Sequence, residues 1–271
     1  MGGIKAHMDK EVALMKQDQI KVFKYKLPAP KGLVRIVPIG DIHLGHRQCL
    51  IKKAGDFLNY VLKTPDTYTV LMGDLIENVL PETVAKHRGS MWEQEMTPEQ
   101  QIAKLREVLK PLAAEGKILF GVGGTHSLRS WYASGFEPEL QLAAELGYPF
   151  SLSDALAEVQ VGAKQKYLIH AVHGNGSTSD PAAVLRKLLS QPRRIADADI
   201  YLRGHHHSKV VATDYHFDCR TGKARKALYV GTGSFLGYID TYAQRNAYLP
   251  AVPGAVKMKL YAERHDVHVT V

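Results

Sequence analysis

Leu33-Val34-Arg35-Ile36-Val37-Pro38-Ile39-Gly40-Asp41-Ile42-His43 decides how the rest of the chain is read. Its first seven residues form a short apolar run, rich in β-branched side chains, of the length a buried strand needs. The run stops at a glycine, and Asp41 and His43 follow, two residues apart. On an extended segment, residues two apart project to the same side, so both side chains could reach one ion. Asp41 taken alone is an unremarkable turn or cap residue. Its weight comes from what recurs further along.

Working outward, the same arrangement appears four more times. The run Tyr68 to Met72 ends at Gly73-Asp74-Leu75-Ile76-Glu77-Asn78, and Lys117 to Val122 ends at Gly123, followed by Gly124-Thr125-His126. Gln165 to Val172 leads into His173-Gly174, and Asp199 to Leu202 into Gly204-His205-His206-His207. Asp and His bind first-row divalent metals, and a carboxylate such as Asp74 has two oxygens with which to bridge two ions. His173, His205 and His207 supply neutral imidazoles. By strand alternation, His205 and His207 share a side and His206 points away. Mixed nitrogen and oxygen donors suit Mn, Fe, Zn or Ni and exclude a calcium-type cage. The expectation is a metal site assembled from five strand ends, with metal-assisted hydrolysis as its chemistry.

The intervening segments supply helices. Leu50 to Leu62 carries apolar residues at helical spacing. Thr97 reads as an N-cap, with Pro98 at the first helical position and Gln100 completing a capping box. Glu137 to Leu146 reads as a helix stopped by Gly147, and Asp180-Pro181 opens another that runs to Leu189. After the third helix the pattern becomes mostly β: a hairpin around Gly162-Ala163, strands flanking Thr221-Gly222, and a closing pair, Val256 to Tyr261 and Val267 to Val271. This order predicts an α/β fold, a four-layer α/β/β/α sandwich of two mixed sheets flanked by helices. No linker is visible, so residues 1–271 read as a single domain. Residues 1–8 read as a vector scar, and the polar stretch 79–96 as an insertion near the site.

Composition narrows the class. A chain of 271 residues that is 45% hydrophobic can bury a substantial core. It shows no apolar run of membrane-spanning length and no secretory signal. Cys49 and Cys219, its two cysteines, cannot build a disulfide framework, which favours a reducing, cytoplasmic setting. The formal charge of +8 favours anionic partners, nucleic acid among them.

The five segments together resemble the calcineurin-like metallophosphoesterase superfamily. Its pattern runs Asp-x-His, Gly-Asp-x-x-Asp, Gly-Asn-His-Asp/Glu, a His often followed by Gly, then Gly-His-x-His. Val230-Gly231-Thr232-Gly233-Ser234 also resembles that family's late strand ending in Gly-Ser. The resemblance implies two divalent ions, Mn2+ foremost with Zn2+, Fe2+ and Ni2+ as alternatives. Asp41, His43 and His207 would hold one, His173 and His205 the other, with Asp74 between them. It implies His126 as the catalytic acid, oriented by Glu77, and attack on phosphorus by a metal-bridging hydroxide. Two positions depart from the pattern. Thr125 stands where the family has an Asn ligand to the second ion, and Ser127 where it has an acid. Arg47 and Arg129 follow site segments and could bind phosphate, and Asn78 falls where the protein-phosphatase subfamily has Arg. The segment Gly73 to Asn78 looks like stand-alone, phage-type and repair-exonuclease-like members. The implied substrate is a phosphodiester of nucleic acid or a nucleotide. The alternatives are a phosphomonoesterase or cyclic-nucleotide phosphodiesterase of the same fold, or a weakly active binding or regulatory protein, given Thr125.

Overall fold

A computed structural model describes residues 20, 22–81, 88–176, 180–193, 195–217 and 221–271. The stretch 1–8, part of 79–96 and Cys219 therefore lie outside the described residues. In chain order the elements are β1 (Val22–Leu27), β2 (Leu33–Ile39), α1 (Ile51–Lys63), β3 (Thr67–Leu71), α2 (Pro98–Ala114), β4 (Ile118–Val122), α3 (Ser127–Ser134) and α4 (Pro138–Leu146). There follow β5 (Phe150–Ser151), β6 (Asp154–Val161), β7 (Gln165–Val172), α5 (Pro181–Leu189), β8 (Ile200–Arg203), β9 (Lys209–Phe217) and β10 (Ala224–Ser234). The chain closes with α6 (Tyr242–Arg245), β11 (Gly254–Ala255), β12 (Lys257–Tyr261) and β13 (Val267–Thr270). A 3-10 turn at Arg88–Glu93 precedes α2.

The strands form two mixed sheets. One runs β13-β12-β2-β3-β4-β5, parallel from β2 to β5 and antiparallel at β12 and β13. The other runs β1-β6-β7-β8-β10-β11, with β9 paired antiparallel to β10. Their inner faces meet in a core that includes Ile36, Val70, Phe120, Ala157, Tyr167, Ile169, Leu202, Val230 and Met258. Helices α1, α2 and α4 pack Leu58, Leu105, Leu109 and Leu142 on the outside of the first sheet, against Val37, Ile39 and Leu71. Helix α5 packs Val184 and Leu188 outside the second, against Tyr201 and Tyr229. The layers are thus α/β/β/α, with two mixed sheets and six helices among the described residues.

Local chemistry explains several boundaries. Thr97 accepts from the Gln100 N–H and the Gln100 side chain returns to the Thr97 N–H, the reciprocal pair that starts α2. The Asp180 side chain caps α5 ahead of Pro181. Gly147 ends α4 in the left-handed conformation at φ 77°. No described helix is long and apolar enough to cross a membrane. This topology places the ends of β2, β3, β4, β7 and β8 at one edge of the sandwich, where the five segments lie.

Candidate metal centre

The first loop is built by close backbone approach. Past Ile39 the chain bonds laterally to the loop after β3: Asp41 N–H donates to Gly73 O at 2.9 Å and His43 N–H to Asp74 O at 3.1 Å. The end of β10 holds it from the other side. Ser234 Oγ and the Phe235 N–H both donate to the Asp41 carbonyl, at 3.0 and 2.9 Å. The third loop touches the second without side chains between them. A Cβ on Gly124 would lie 2.1 Å from the Asp74 nitrogen, and one on Gly73 would lie 2.7 Å from Gly124 Cα. Only glycine permits either contact.

The side chains do not converge by strand alternation. Asp41, His43, Asp74, Asn78, His205 and His207 all have left-handed backbones, with φ between 48° and 70°. These are six of the ten non-glycine positive-φ residues described, so strain is concentrated at this edge. Such conformations cost on the order of 1–3 kcal/mol each and mark functional sites. The extended geometry expected for Asp41 and His43 is therefore corrected: sharp left-handed turns aim these side chains.

Among the described residues, three groups of potential ligand atoms each lie within 4.8 Å of one another: Asp41, His43 and His207; Asp74, His173 and His205; and His43, Asp74 and His126. His207 Nε2 lies 3.3 Å from Asp41 Oδ1 and 3.1 Å from His43 Nε2. His173 Nε2 lies 2.9 Å from Asp74 Oδ2 and 3.3 Å from His205 Nδ1. Asp74 thus belongs to two groups, and His126 shares one of them. His205 and His207 go to different groups. His206 is buried between them with neither ring nitrogen hydrogen-bonded, and burial pushes its pKa down to about 3.

Outer contacts orient these ligands. His173 Nδ1 sits 2.7 Å from Met72 O, and His205 Nε2 2.8 Å from Gly176 O. His43 Nδ1 lies 2.9 Å from Glu77 Oε2. His126 Nδ1 lies 2.8 Å from Glu77 O and 3.4 Å from Glu77 Oε2, while its backbone N–H donates to Asp74 Oδ1 at 2.7 Å. Thr125 Oγ1 donates to Asp74 Oδ2 at 2.9 Å, the same oxygen that faces His173. Arg129 donates to Glu77 O at 2.9 Å, and its Nη2 lies 3.0 Å from His126 Nε2.

The two buried carboxylates are the groups of the site that suit bound cations. Burial raises the Asp41 and Asp74 carboxyls, but His173 first, then His207 at Asp41 and His126 at Asp74, outweigh it and hold both below the ordinary range. Burial opposes charge on His173, yet Asp74 and Asp41 lift its pKa to about 10. Burial and the nearby His173 push His205 down to about 4, leaving it neutral and ready to ligate. The fit to a divalent ion has a direct sign. Asp41 Oδ1 is fully buried and accepts no hydrogen bond of good geometry, an orphan that a cation beside His207 would satisfy. Converging buried carboxylates and imidazoles of this kind are the donor set of a metal-dependent hydrolase, consistent with a dinuclear site.

A cleft of about 420 Å³ opens over the donors. His43, Asp74, Glu77, His126, Arg129, His205 and His207 line one side. Arg47 and Asn78 are absent from its wall. Arg47 donates to Asp240 O at 2.7 Å, and Asn78 is buried, donating to His126 O at 2.7 Å and Ser130 Oγ at 3.0 Å. The facing wall comes from residues 236–253, including Tyr238, Asn246, Tyr248 and Leu249. Sequence reading missed this segment, which carries no ligand-type motif. It also missed Glu93, which lines the cleft and pairs with Arg245.

No protein-family model and no curated protein matches the sequence. Among solved structures, the hypothetical protein PH1004 from Pyrococcus horikoshii OT3 overlaps with a TM-score of 0.45 and 11% identity, covering 88% of this chain and 87% of that one. A protein serine/threonine phosphatase from Saccharomyces cerevisiae, with similarity to human phosphatase PP5, overlaps with a TM-score of 0.36 and 11% identity, over 91% and 82% of the two chains. Overlap of this degree says nothing about chemistry. The functional reading rests on the donor set itself.

Proposed function

We propose that this chain is a dinuclear-metal-dependent phosphoester hydrolase acting on phosphodiesters of nucleic acid or nucleotides. One observation carries the reading: two largely buried donor triads reach, through His43, His207, Asp74 and His205, the same cleft as an imidazole and a guanidinium, His126 and Arg129. Asp41, His43 and His207 would hold one ion, and Asp74, His173 and His205 the other, with Thr125 beside the second. Two divalent ions there, Mn2+ foremost, would supply a nucleophile at neutral pH and offset charge on the phosphoryl oxygens.

The chain's own groups do the rest. The Glu77 carbonyl holds His126 Nδ1, which leaves Nε2 to carry a proton to the leaving oxygen. Arg129 Nη2 lies 3.0 Å from that Nε2. A phosphoryl group is the stronger partner for a guanidinium, so substrate would draw Arg129 away and free that nitrogen. The formal charge of +8 supports an anionic polymer or nucleotide. Tyr238, Tyr248 and Leu249 on the far wall suit a flat, largely apolar base.

The test is a hydrolysis panel with added Mn2+: a phosphomonoester, a small phosphodiester, cyclic nucleotides, and single- and double-stranded DNA. Turnover of phosphodiesters is expected, with activity on DNA falling steeply with salt while the small diester changes little. Parallel salt curves would remove the preference for nucleic acid, and preferred cleavage of the monoester would favour a phosphomonoesterase. Metal binding without turnover of any ester would favour a binding protein. Thr125 motivates that second reading, because its hydroxyl is already committed to Asp74.

A further inference from the structure

Two carboxyl groups lie behind the cleft at the start of α4. Glu139 is fully buried and Glu137 is 4% exposed. No described Lys, Arg or His forms an ion pair with either. Each uses one oxygen on a backbone N–H: Glu139 Oε1 accepts from Leu75 at 2.9 Å, and Glu137 Oε2 accepts from Leu140. The other two oxygens, Glu139 Oε2 and Glu137 Oε1, are buried without a hydrogen bond, as is the Tyr148 hydroxyl. The two oxygens are acceptors only while both acids are ionised. Burial first, then the neighbouring Glu137 and Asp74 charges, push the Glu139 carboxyl well above its ordinary range, and burial raises Glu137 as well. Uncompensated anions in a dry pocket are costly, so both acids sit here against a burial penalty.

The contacts give this pair a place in the site. Leu75 follows Asp74 directly, so Glu139 holds the backbone that presents that carboxylate. Ser127 follows His126 and is fully buried; its hydroxyl faces both the Gly124 carbonyl, at 3.3 Å, and Glu137. Helix α4 therefore touches the Asp74 loop through one acid and the His126 loop through the other. We infer that Glu137 and Glu139 act as a positioning pair, fixing the Asp74 and His126 loops relative to each other. Position 127, a serine rather than an acid, then relays this support instead of supplying it. The inference depends on Asp74 as a metal ligand and not on the identity of the substrate.

Mn2+ titration calorimetry tests it. E139Q keeps an acceptor for Leu75, so it should bind Mn2+ as the wild type does. E139A should weaken Mn2+ binding about 10–100-fold, the range for losing an outer support of a ligand. E139Q binding as poorly as E139A would mean that the bond to the Leu75 N–H does not carry the effect, and would overturn the positioning role. A folded E139A with unchanged Mn2+ affinity would overturn the positioning role. Should E139A not fold, S127A takes its place, with weaker Mn2+ binding expected and unchanged binding overturning the link. None of these readouts involves substrate, so a failed hydrolysis panel would leave them intact.

Discussion

Glu77 Oε2 lies 2.9 Å from His43 Nδ1, so the acid expected to orient His126 also holds a candidate ligand of the other ion. Burial lowers the His43 pKa and the neighbouring His126 lowers it further, with Glu77 opposing both. Burial raises the Glu77 carboxyl, while His126 and His43 bring it well below its ordinary range. One carboxylate therefore serves a ligand and a proton donor together. E77Q should weaken metal binding about 10–100-fold, the usual effect of losing a histidine's outer partner. Calorimetry on folded E77Q checks it. Full metal affinity with reduced turnover would confine Glu77 to His126.

His126 belongs to a ligand group and also sits beside Arg129, so two roles compete for it. H126A should keep its metal content and slow hydrolysis about 10²–10⁴-fold, the range for a lost general acid. The loss should shrink for nitrophenyl esters, whose leaving groups need no proton. Metal analysis and a leaving-group series decide between the roles. Lost metal with an equal rate loss for every leaving group would make His126 a ligand.

Thr125 spends its hydroxyl proton on Asp74 Oδ2. The group around His173 and His205 then has fewer strong donors than an amide at this position would allow. The two ions should bind with separable affinities, and T125N should tighten the weaker. Titration of both proteins with Mn2+ tests this. Two equally tight sites in the wild type would show that Thr125 is no handicap.

Away from the cleft, Asp199 ties β7 to the start of β10. It accepts from the Leu168 N–H at 2.8 Å and faces Arg225 and His265 at 3.3 and 3.2 Å. Burial raises its carboxyl, but the bonds from His265 and Leu168 outweigh that and lower it. A depressed folded-state pKa means the stabilisation is present above the unfolded carboxylate value and lost as pH falls through the folded one. D199N should cost about 1–2 kcal/mol at neutral pH. Thermal melts across the acid range should show the gap to the wild type closing. A gap constant with pH would show that charge at Asp199 contributes nothing.

The recurrence of short apolar runs ending in Gly and then Asp or His was legible without a structure. A buried parallel strand must be almost wholly apolar, so a polar metal-ligating residue directly after one stands out. The two-sheet architecture was readable for the same reason, together with the caps at Thr97 and Asp180. Strand β1 was not read, although its lysines alternate with apolar residues as in a half-buried strand; its place comes from pairing with β6, more than a hundred residues later. Helix α3 was not either, since its eight residues have weak periodicity and its place depends on Asn78 and Arg129. The direction of each side chain belonged to tertiary structure alone. Left-handed turns at Asp41, His43, His205 and His207 replace strand alternation because neighbouring loops hold them there. The same cross-loop contacts turn Arg47 and Asn78 out of the cleft wall and bring residues 236–253 into it. They also set Glu137 and Glu139 beneath loops that precede them by as much as sixty-four residues. A sequence specifies which groups are present and their local backbone preferences, but burial and partner, which decide charge and reach, come from contacts between distant segments.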